Sequence, residues 1–259
     1  MVTVRAADLA QRIDRLVGVA GHPEYAAAMN GLQVDHRGPV HRIAAAVDAS
    51  QRAISAAADE GANFLIVHHG LFWGGAQPIT GAAYSRLRLL FERDMAVYSA
   101  HLPLDSHAEF GNNVLLARQL GLVPSIPFAR YEGVAIGVAG ESDTPTDSLL
   151  SLADAFARRH GGSARASAIP AGHRTRRWAI CTGAGASTET LREAEAANID
   201  TLITGEGPHH TAVEAPERGV VVIYAGHYAT ETLGVAAVAE RVAADAGLPW
   251  VFISAPTGL

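Results

Sequence analysis

The residues best suited to chemistry in this 259-residue sequence are histidines and carboxylates that follow short apolar runs. Ligand sites in parallel α/β sheets lie just beyond the carboxyl ends of the strands, so such residues can meet at one edge. Imidazoles and carboxylates together suit Zn, Fe, Mn, Co or Ni better than Mg or Ca. The sequence predicts five metal ligands: His68, His69, Asp105, His227 and Glu231.

Three imidazoles and two carboxylates are too many for one four-coordinate ion that keeps a position open. They suit two divalent ions about 3.5–4 Å apart, with a bridging carboxylate and a bridging water. We therefore expect two divalent metal ions per subunit as cofactors.

The ligand pairs also allow other interpretations, and His68 and His69 could simply be two polar residues that end a strand. His68 and His69 are adjacent, and neighbours on a regular strand point to opposite faces, so they either converge in the loop that follows or serve two ions. His227 and Glu231 are four residues apart, a spacing that also fits an ion pair on a helix surface. Pro103 argues against a helix after His101, so Asp105 is predicted to be a loop carboxylate.

Other polar residues follow the same predicted strands. His101 is a ligand or, as we favour, a partner that orients Asp105. His101 and His210 are candidates for proton transfer, and His209 and Glu206 for substrate binding. His209 and His210 lie where the second half matches His68 and His69, and a solvated loop would explain them equally well. The remaining histidines are interpreted as structural or exposed: His22, His36, His41, His107, His160 and His173.

Composition excludes several other activities. All 20 basic residues counted as Lys+Arg are arginines. Without lysine there is no Schiff-base chemistry and no Walker-A phosphate loop. A net charge of −6 disfavours nucleic acid as the main partner. Cys181 is the single cysteine, the N-terminus reads as a helix rather than a signal peptide, and no apolar run is long enough for a membrane span, so we expect a cytoplasmic protein.

The chain contains the same strand–helix–strand pattern twice, which predicts an α/β fold of two similar halves with mainly parallel or mixed sheets flanked by helices. In residues 42–70, Ser50 caps a helix that runs to Ala58. In residues 177–210, Ser187 caps a helix that runs to Ala197. We place the halves at residues 1–125 and 126–259. The second half is predicted to begin with a strand over 133–140, a helix with Pro145 at its first position, and an exposed loop over 161–176.

The sequence resembles the NIF-three-like dinuclear metal-centre family, whose bacterial members are often labelled GTP cyclohydrolase 1 type 2 homologues. The matching segments span most of the chain: residues 30–34, 47–48, 65–70, 100–105 with 111–113, 204–206 with 209–210, and 225–231. The resemblance implies that the five predicted ligands hold the metals between the two halves. It also implies a ring-shaped homohexamer and the short form of the family, without an inserted domain.

Two functions follow from these residues. The first is a metal-dependent hydrolase of the cyclohydrolase, amidohydrolase or phosphoesterase type, which uses a metal-activated water. The alternative is a non-catalytic ring that carries metal and binds protein or nucleic acid. The cluster Arg174, Arg176 and Arg177 supports the alternative, and a solvated strand edge explains that cluster as well.

Overall fold

A computed structural model describes residues 4–73, 75 and 77–259. By its internal contacts the chain divides into two compact units. Unit 1 contains residues 1–110 and 234–255, and unit 2 contains residues 111–233 and 256–259. The predicted cut between residues 125 and 126 therefore does not coincide with these units, since the chain returns to unit 1 near its end.

Unit 1 is built on a five-stranded sheet of order β1-β4-β3-β2-β11. Strands β2, β3, β4 and β11 are parallel where they pair, and β1 is antiparallel to β4. Its elements are α1 (Ala6–Val17), β1 (Gly31–Val34), β2 (Ile43–Asp48), α2 (Gln51–Asp59), β3 (Phe64–His69), α3 (Gly81–Glu92), β4 (Ala96–Ser99), α4 (Leu102–Asp105), most of α10 (Thr232–Ala246) and β11 (Trp250–Phe252).

The central strand of unit 1, β3, is apolar from Phe64 to Val67 because both of its faces are covered. Phe64 and Ile66 pack in a core with residues of α1 and α10. Leu65 and Val67 point to the other face and pack with residues of α2 and α3. A parallel strand buried on both faces has a continuous apolar run of this kind, and the run ends where the polar pair His68 and His69 begins.

Unit 2 contains a six-stranded sheet of order β5-β6-β8-β9-β10-β7. Strands β8, β9 and β10 are parallel, and the β5–β6, β6–β8 and β10–β7 pairs are antiparallel. Its elements are α5 (Asn112–Gln119), β5 (Ile126–Tyr131), β6 (Val134–Pro145), α6 (Thr146–Arg159), β7 (Arg165–Ala166), β8 (Arg174–Cys181), α7 (Thr188–Ala196), β9 (Thr201–Thr204), α8 (His209–Glu217), β10 (Val221–Tyr224), α9 (His227–Thr230) and the start of α10.

The predicted α/β class with two mixed sheets is confirmed. The repeated caps are also present, since the Ser50 hydroxyl accepts a hydrogen bond from Ala53 N–H and the Ser187 hydroxyl accepts one from Thr190 N–H. In each unit three consecutive strands are neighbours in the sheet and parallel, β2-β3-β4 and β8-β9-β10. Among the described residues, no helix is both long and apolar enough to cross a membrane.

Two local predictions were wrong. Strand β6 extends to Pro145, which is the N-cap residue of α6 rather than its first residue, because Thr144 and Pro145 still pair with β8. The predicted loop over 161–176 contains β7, which adds an antiparallel edge to β10. This strand has only two residues and is surrounded by small and polar ones, so it shows no alternation of apolar and polar residues that would predict a strand.

Candidate metal centre

The first cluster of candidate ligands lies at the end of β3 in unit 1. Strand register places His69 beside Asp48 of β2, and His69 Nδ1 donates a 2.9 Å hydrogen bond to Asp48 Oδ1. His68 Nδ1 donates to the carbonyl oxygen of Ala100, also at 2.9 Å. The two rings converge, with centroids 4.9 Å apart. Because an oxygen acceptor fixes hydrogen on each Nδ1, each Nε2 keeps the lone pair that a metal ion needs.

The carboxylate of Asp105 lies against this cluster. Asp105 Oδ2 is 3.4 Å from His68 Nε2, and the two side chains are at most one-tenth exposed. Two ligands that bind one tetrahedral ion about 2.1 Å away are themselves about 3.4 Å apart. The donor pair therefore has the spacing of two ligands on one ion.

The prediction that Asp105 lies in a loop was wrong. Asp105 is the last residue of the one-turn helix α4, and Pro103 occupies its first turn. Proline is tolerated there because N–H groups in the first turn have no partner within the helix.

His101 is a third imidazole in the cluster of unit 1. One ring nitrogen from each of His68, His69 and His101 lies within 4.8 Å of the others. Burial and the neighbouring His68 lower the pKa of His101, although its hydrogen bond to Glu24 opposes that shift. The ring is therefore neutral at pH 7, with its Nδ1–H donated to Glu24 Oε1 at 2.9 Å.

Glu24 and Asn30 hold His101 in place, and no sequence pattern pointed to either role. The Glu24 carboxylate also accepts hydrogen bonds from Leu102 N–H and from the Asn30 amide, both at 3.0 Å. Asn30 Oδ1 accepts a hydrogen bond from His101 N–H at 2.8 Å. Burial alone would raise the pKa of Glu24, but the hydrogen bonds it accepts, including that from His101, lower it to about 2.

The second cluster lies in unit 2, after β10. Gly226 has a positive φ of 91° and starts the one-turn helix α9 at His227. His227 Nε2 is 3.2 Å from Glu231 Oε2, and Nδ1 donates to Glu206 Oε1 at 2.7 Å. Burial alone would lower the pKa of His227, but the carboxylates of Glu231 and Glu206 raise it to about 9. A cation that occupies Nε2 would therefore replace a proton.

Glycines let the loops of unit 2 approach Glu231, whose side chain is only 4% exposed. A Cβ atom on Gly183 would collide with Glu231 Oε1. A Cβ atom on Gly205 would lie 2.7 Å from His227 Cα and 2.8 Å from Thr230 Oγ1. Gly183 N–H donates to that same Thr230 Oγ1 at 3.1 Å. Side chains at these positions would displace the pair His227 and Glu231.

The two units place matching residues after matching strands. His101 and Asp105 follow β4 and span α4, and His227 and Glu231 follow β10 and span α9. In each case a glutamate accepts the Nδ1–H of the histidine. The one-turn helix brings histidine and carboxylate to the same side, as the four-residue spacing allows.

The other predicted site residues lie in different surroundings. Glu206 is the partner of His227 described above. His209 and His210 begin α8 and are exposed, and His210 Nε2 lies 3.3 Å from Thr188 Oγ1. They are thus several residues beyond the end of β9, whereas His68 and His69 belong to β3 itself.

The chemistry of each donor set fits a divalent ion. Imidazole nitrogen and carboxylate oxygen recur in both clusters, and the carboxylates of Asp105 and Glu231 are buried. A buried carboxylate needs a compensating cation or hydrogen bonds. Unit 1 and unit 2 each contain a histidine–carboxylate pair, and a divalent ion bound to that pair would compensate the charge of the buried carboxylate.

Comparison with known proteins identifies relatives along the whole chain. The family model of Duf34/NIF3 (NGG1p interacting factor 3) matches residues 4–257. A protein of Deinococcus radiodurans named GTP cyclohydrolase 1 type 2 homolog is 40% identical and covers 97% of this chain and 94% of its own. A relative of the same name in Halobacterium salinarum is 45% identical over 90% of this chain and 92% of its own.

Solved structures agree with this result. A protein from Thermus thermophilus has a TM-score of 0.82 and 37% identity, and the match covers 99% of this chain and 100% of that one. The protein ybgI, described as of unknown function, has a TM-score of 0.89 and 34% identity with the same coverage.

Proposed function

Since the chain belongs to the Duf34/NIF3 family, we propose that it is a metal-dependent hydrolase with a dinuclear centre. Its ligands are His68, His69, Asp105, His227 and Glu231. The observation that carries the proposal is the orientation of the histidines. The Nδ1 atoms of His68, His69 and His227 all donate to oxygen acceptors, so Nε2 is the ring nitrogen that would bind a cation, which at His227 would replace a proton.

The metal is a divalent ion of intermediate softness, because the ligands are imidazoles and carboxylates. Zn, Fe, Mn, Co and Ni all satisfy this requirement. When bound, two such ions supply Lewis acidity and make a water nucleophilic near neutral pH.

His101 is the candidate proton carrier of the site. It is neutral at pH 7, its Nδ1–H is held by Glu24, and its ring lies 4.8 Å from that of His68 and 5.7 Å from that of His69. Nε2 of a neutral imidazole in this tautomer accepts a proton, so His101 can serve as a general base beside the ligands. Exposed His210 and His209 remain predicted participants in proton transfer and substrate binding.

The substrates we propose are ring amides, other amide-like groups or phosphoesters. A metal-activated water attacks carbonyl and phosphoryl groups of these kinds, and the names of the relatives add cyclohydrolase chemistry. The homohexamer that the resemblance implies also stays a prediction, which light scattering on the purified protein tests.

The ligand assignment is tested by substitution. We expect His69→Ala and Glu231→Ala to reduce bound metal, measured by elemental analysis, while circular dichroism shows an intact fold. His41→Ala is the matched control, because this histidine is exposed and lies outside both clusters. Full metal occupancy in both ligand variants would contradict the assignment.

The hydrolase activity needs its own test. Metal-loaded protein is incubated with GTP and with a panel of cyclic amides, lactones and phosphoesters, and turnover is followed by chromatography. Turnover that disappears with the metal supports the proposal. Absence of turnover across the panel contradicts it and leaves the non-catalytic alternative.

The non-catalytic alternative gains little from the structure. Arg174 Nε donates to Asp143 Oδ1 at 2.6 Å, so this guanidinium is already paired with a carboxylate. The backbone N–H groups of Arg176 and Arg177 both donate to Asp200 Oδ2. These contacts are therefore local ones made by residues of β8, which pairs with both β6 and β9.

A further inference from the structure

A cavity of about 310 Å³ opens in unit 1 between the segment after β3 and helix α3. Pockets for small organic ligands typically measure about 300–1,000 Å³, so this cavity can hold one small ring system. The described residues that line it are mostly apolar and include Phe72, Ile79 and Leu87. Ile79 is 59% exposed although it is a large aliphatic side chain.

Trp73 connects this cavity to the candidate ligands. The indole lines the cavity and also contacts two imidazoles edge-on. Its ring centroid is 5.4 Å from that of His69 and 4.6 Å from that of His101. A molecule that fills the cavity therefore contacts Trp73, the residue that also contacts the imidazoles of His69 and His101. Trp73 is itself 36% exposed, which leaves part of its surface for a ligand.

A positive charge lies in the same cavity. Arg86 of α3 is among the residues that line it. Arginine binds carboxylate and phosphate especially well, so this side chain would complement an anionic group held in the cavity.

We propose that this cavity binds a flat aromatic or heteroaromatic anion, with its ring against Trp73 and its carboxylate or phosphate on Arg86. Such a molecule has one apolar face and one charged end, as the lining requires. The identification of this anion as a substrate rests on the proposed function, because Trp73 would direct the ring toward His69 and His101. The cavity itself stands independently of the metals.

The test uses isothermal titration calorimetry with three probes of one shape: naphthoate, naphthyl phosphate and the uncharged naphthamide. Each is titrated into metal-free protein, so that coordination of the anion by a metal cannot contribute. We expect both anions to bind at least about tenfold more tightly than the amide, which corresponds to one charge-assisted hydrogen bond. The tighter of the two anions identifies the charged group that the site prefers.

Two arginines on α3 form a matched pair. Arg86→Gln should bring the three probes to similar affinity, whereas Arg88→Gln should leave the order unchanged. Arg88 is the appropriate control because it is exposed and lies 3.5 Å from Glu92. Trp73→Leu should weaken all three probes by about tenfold, since ring stacking contributes to each. Circular dichroism establishes that each variant is folded.

The proposal is overturned if wild-type protein binds the amide as tightly as the anions, or if Arg86→Gln and Arg88→Gln behave alike. Metal uptake, measured after a separate portion of the same protein is reloaded with zinc, separates this result from the proposed function. Probe binding in the expected order without metal uptake would refute the metal centre and retain the cavity. Metal uptake without probe binding would refute the proposed cavity site and retain the metal centre.

Discussion

Glu206 Oε1 accepts a 2.7 Å hydrogen bond from Nδ1 of His227, so this glutamate positions a candidate ligand. Glu206 lies two residues after β9, and His227 follows the neighbouring parallel strand β10. The pair therefore depends on strands that end at the same edge of the sheet. A carboxylate on Nδ1 fixes the tautomer of a metal-binding histidine and increases the basicity of Nε2.

Removal of Glu206 should weaken metal binding without unfolding the protein. We expect Glu206→Ala to raise the dissociation constant for zinc by about 10–100-fold, a typical cost of losing the partner of a metal-bound histidine. Glu206→Gln should fall between this variant and the wild type, because its amide oxygen still accepts the hydrogen bond. Competition with a chromogenic chelator measures the affinities.

The exposed Glu217, the last residue of helix α8, provides the control. Glu217→Ala should keep wild-type affinity. If Glu206→Ala also binds zinc as tightly as the wild type, His227 is either not a ligand or does not need this carboxylate.

The sequence predicts where β3 ends and where helices α2 and α7 begin, but not the contacts between neighbouring strands. The apolar run that ends at His68 defines the end of β3, and the serines at positions 50 and 187 mark both helix starts. Asp48 was not recognised as the partner of His69, because their pairing depends on strand register rather than on spacing. Glu24 lies 77 residues from His101 and has no local signal.

One error and one missed contact among the candidate residues have physical causes as well. Pro103 was interpreted as a helix breaker, although proline is acceptable in the first turn that it occupies in α4. Glu206 was predicted to bind substrate, and its contact with His227 requires knowledge of how β9 and β10 are aligned.

Substitution of Gly183 should have two effects: backbone strain at this residue and a displacement of Glu231 in the cluster of unit 2. Gly183 has a φ of +62°, which costs an alanine about 1–2 kcal/mol. The added Cβ would also collide with Glu231 Oε1, so that carboxylate must move. We expect Gly183→Ala to lower both the free energy of unfolding and the bound zinc, measured by denaturation and elemental analysis.

Gly172→Ala separates the two effects. Gly172 has a φ of +71°, and a Cβ atom there would meet no heavy atom within 4 Å. This control should lose about 1–2 kcal/mol and keep its zinc. Equal zinc content in the two variants would show that Glu231 tolerates the displacement or is not a ligand.

The repeated helix caps should contribute equally in the two units. Ser50→Ala and Ser187→Ala each remove a hydroxyl that accepts a backbone N–H at the start of a helix, so each should lower the free energy of unfolding by about 1 kcal/mol. Ser151→Ala is the control, since Ser151 is exposed and lies inside α6. A loss in only one unit would indicate that the two matching helices are not equally important for stability.

The carboxylate of Glu24 should stabilise the protein at neutral pH and cease to do so in acid. Its pKa in the folded protein is about 2, below the ordinary value of 4.5, so the folded state favours the ionised form. That contribution is fully present above about pH 5 and is lost as the pH falls from 4.5 toward 2. At pH 7 we expect Glu24→Gln to lower the free energy of unfolding by about 1–2 kcal/mol, because several hydrogen bonds converge on the carboxylate.

Urea denaturation of both proteins at pH 7, 5, 4 and 3 tests this expectation, since the other carboxylates titrate in both and cancel in the difference. The difference between wild type and Glu24→Gln should be constant from pH 7 to 5 and shrink at pH 4 and 3. Glu240→Gln, at an exposed position of α10, should change stability by no more than about 0.5 kcal/mol at every pH. A difference for Glu24→Gln that grows as the pH falls would mean that the folded protein favours protonated Glu24, and that the carboxylate does not hold His101 through an ionised acceptor.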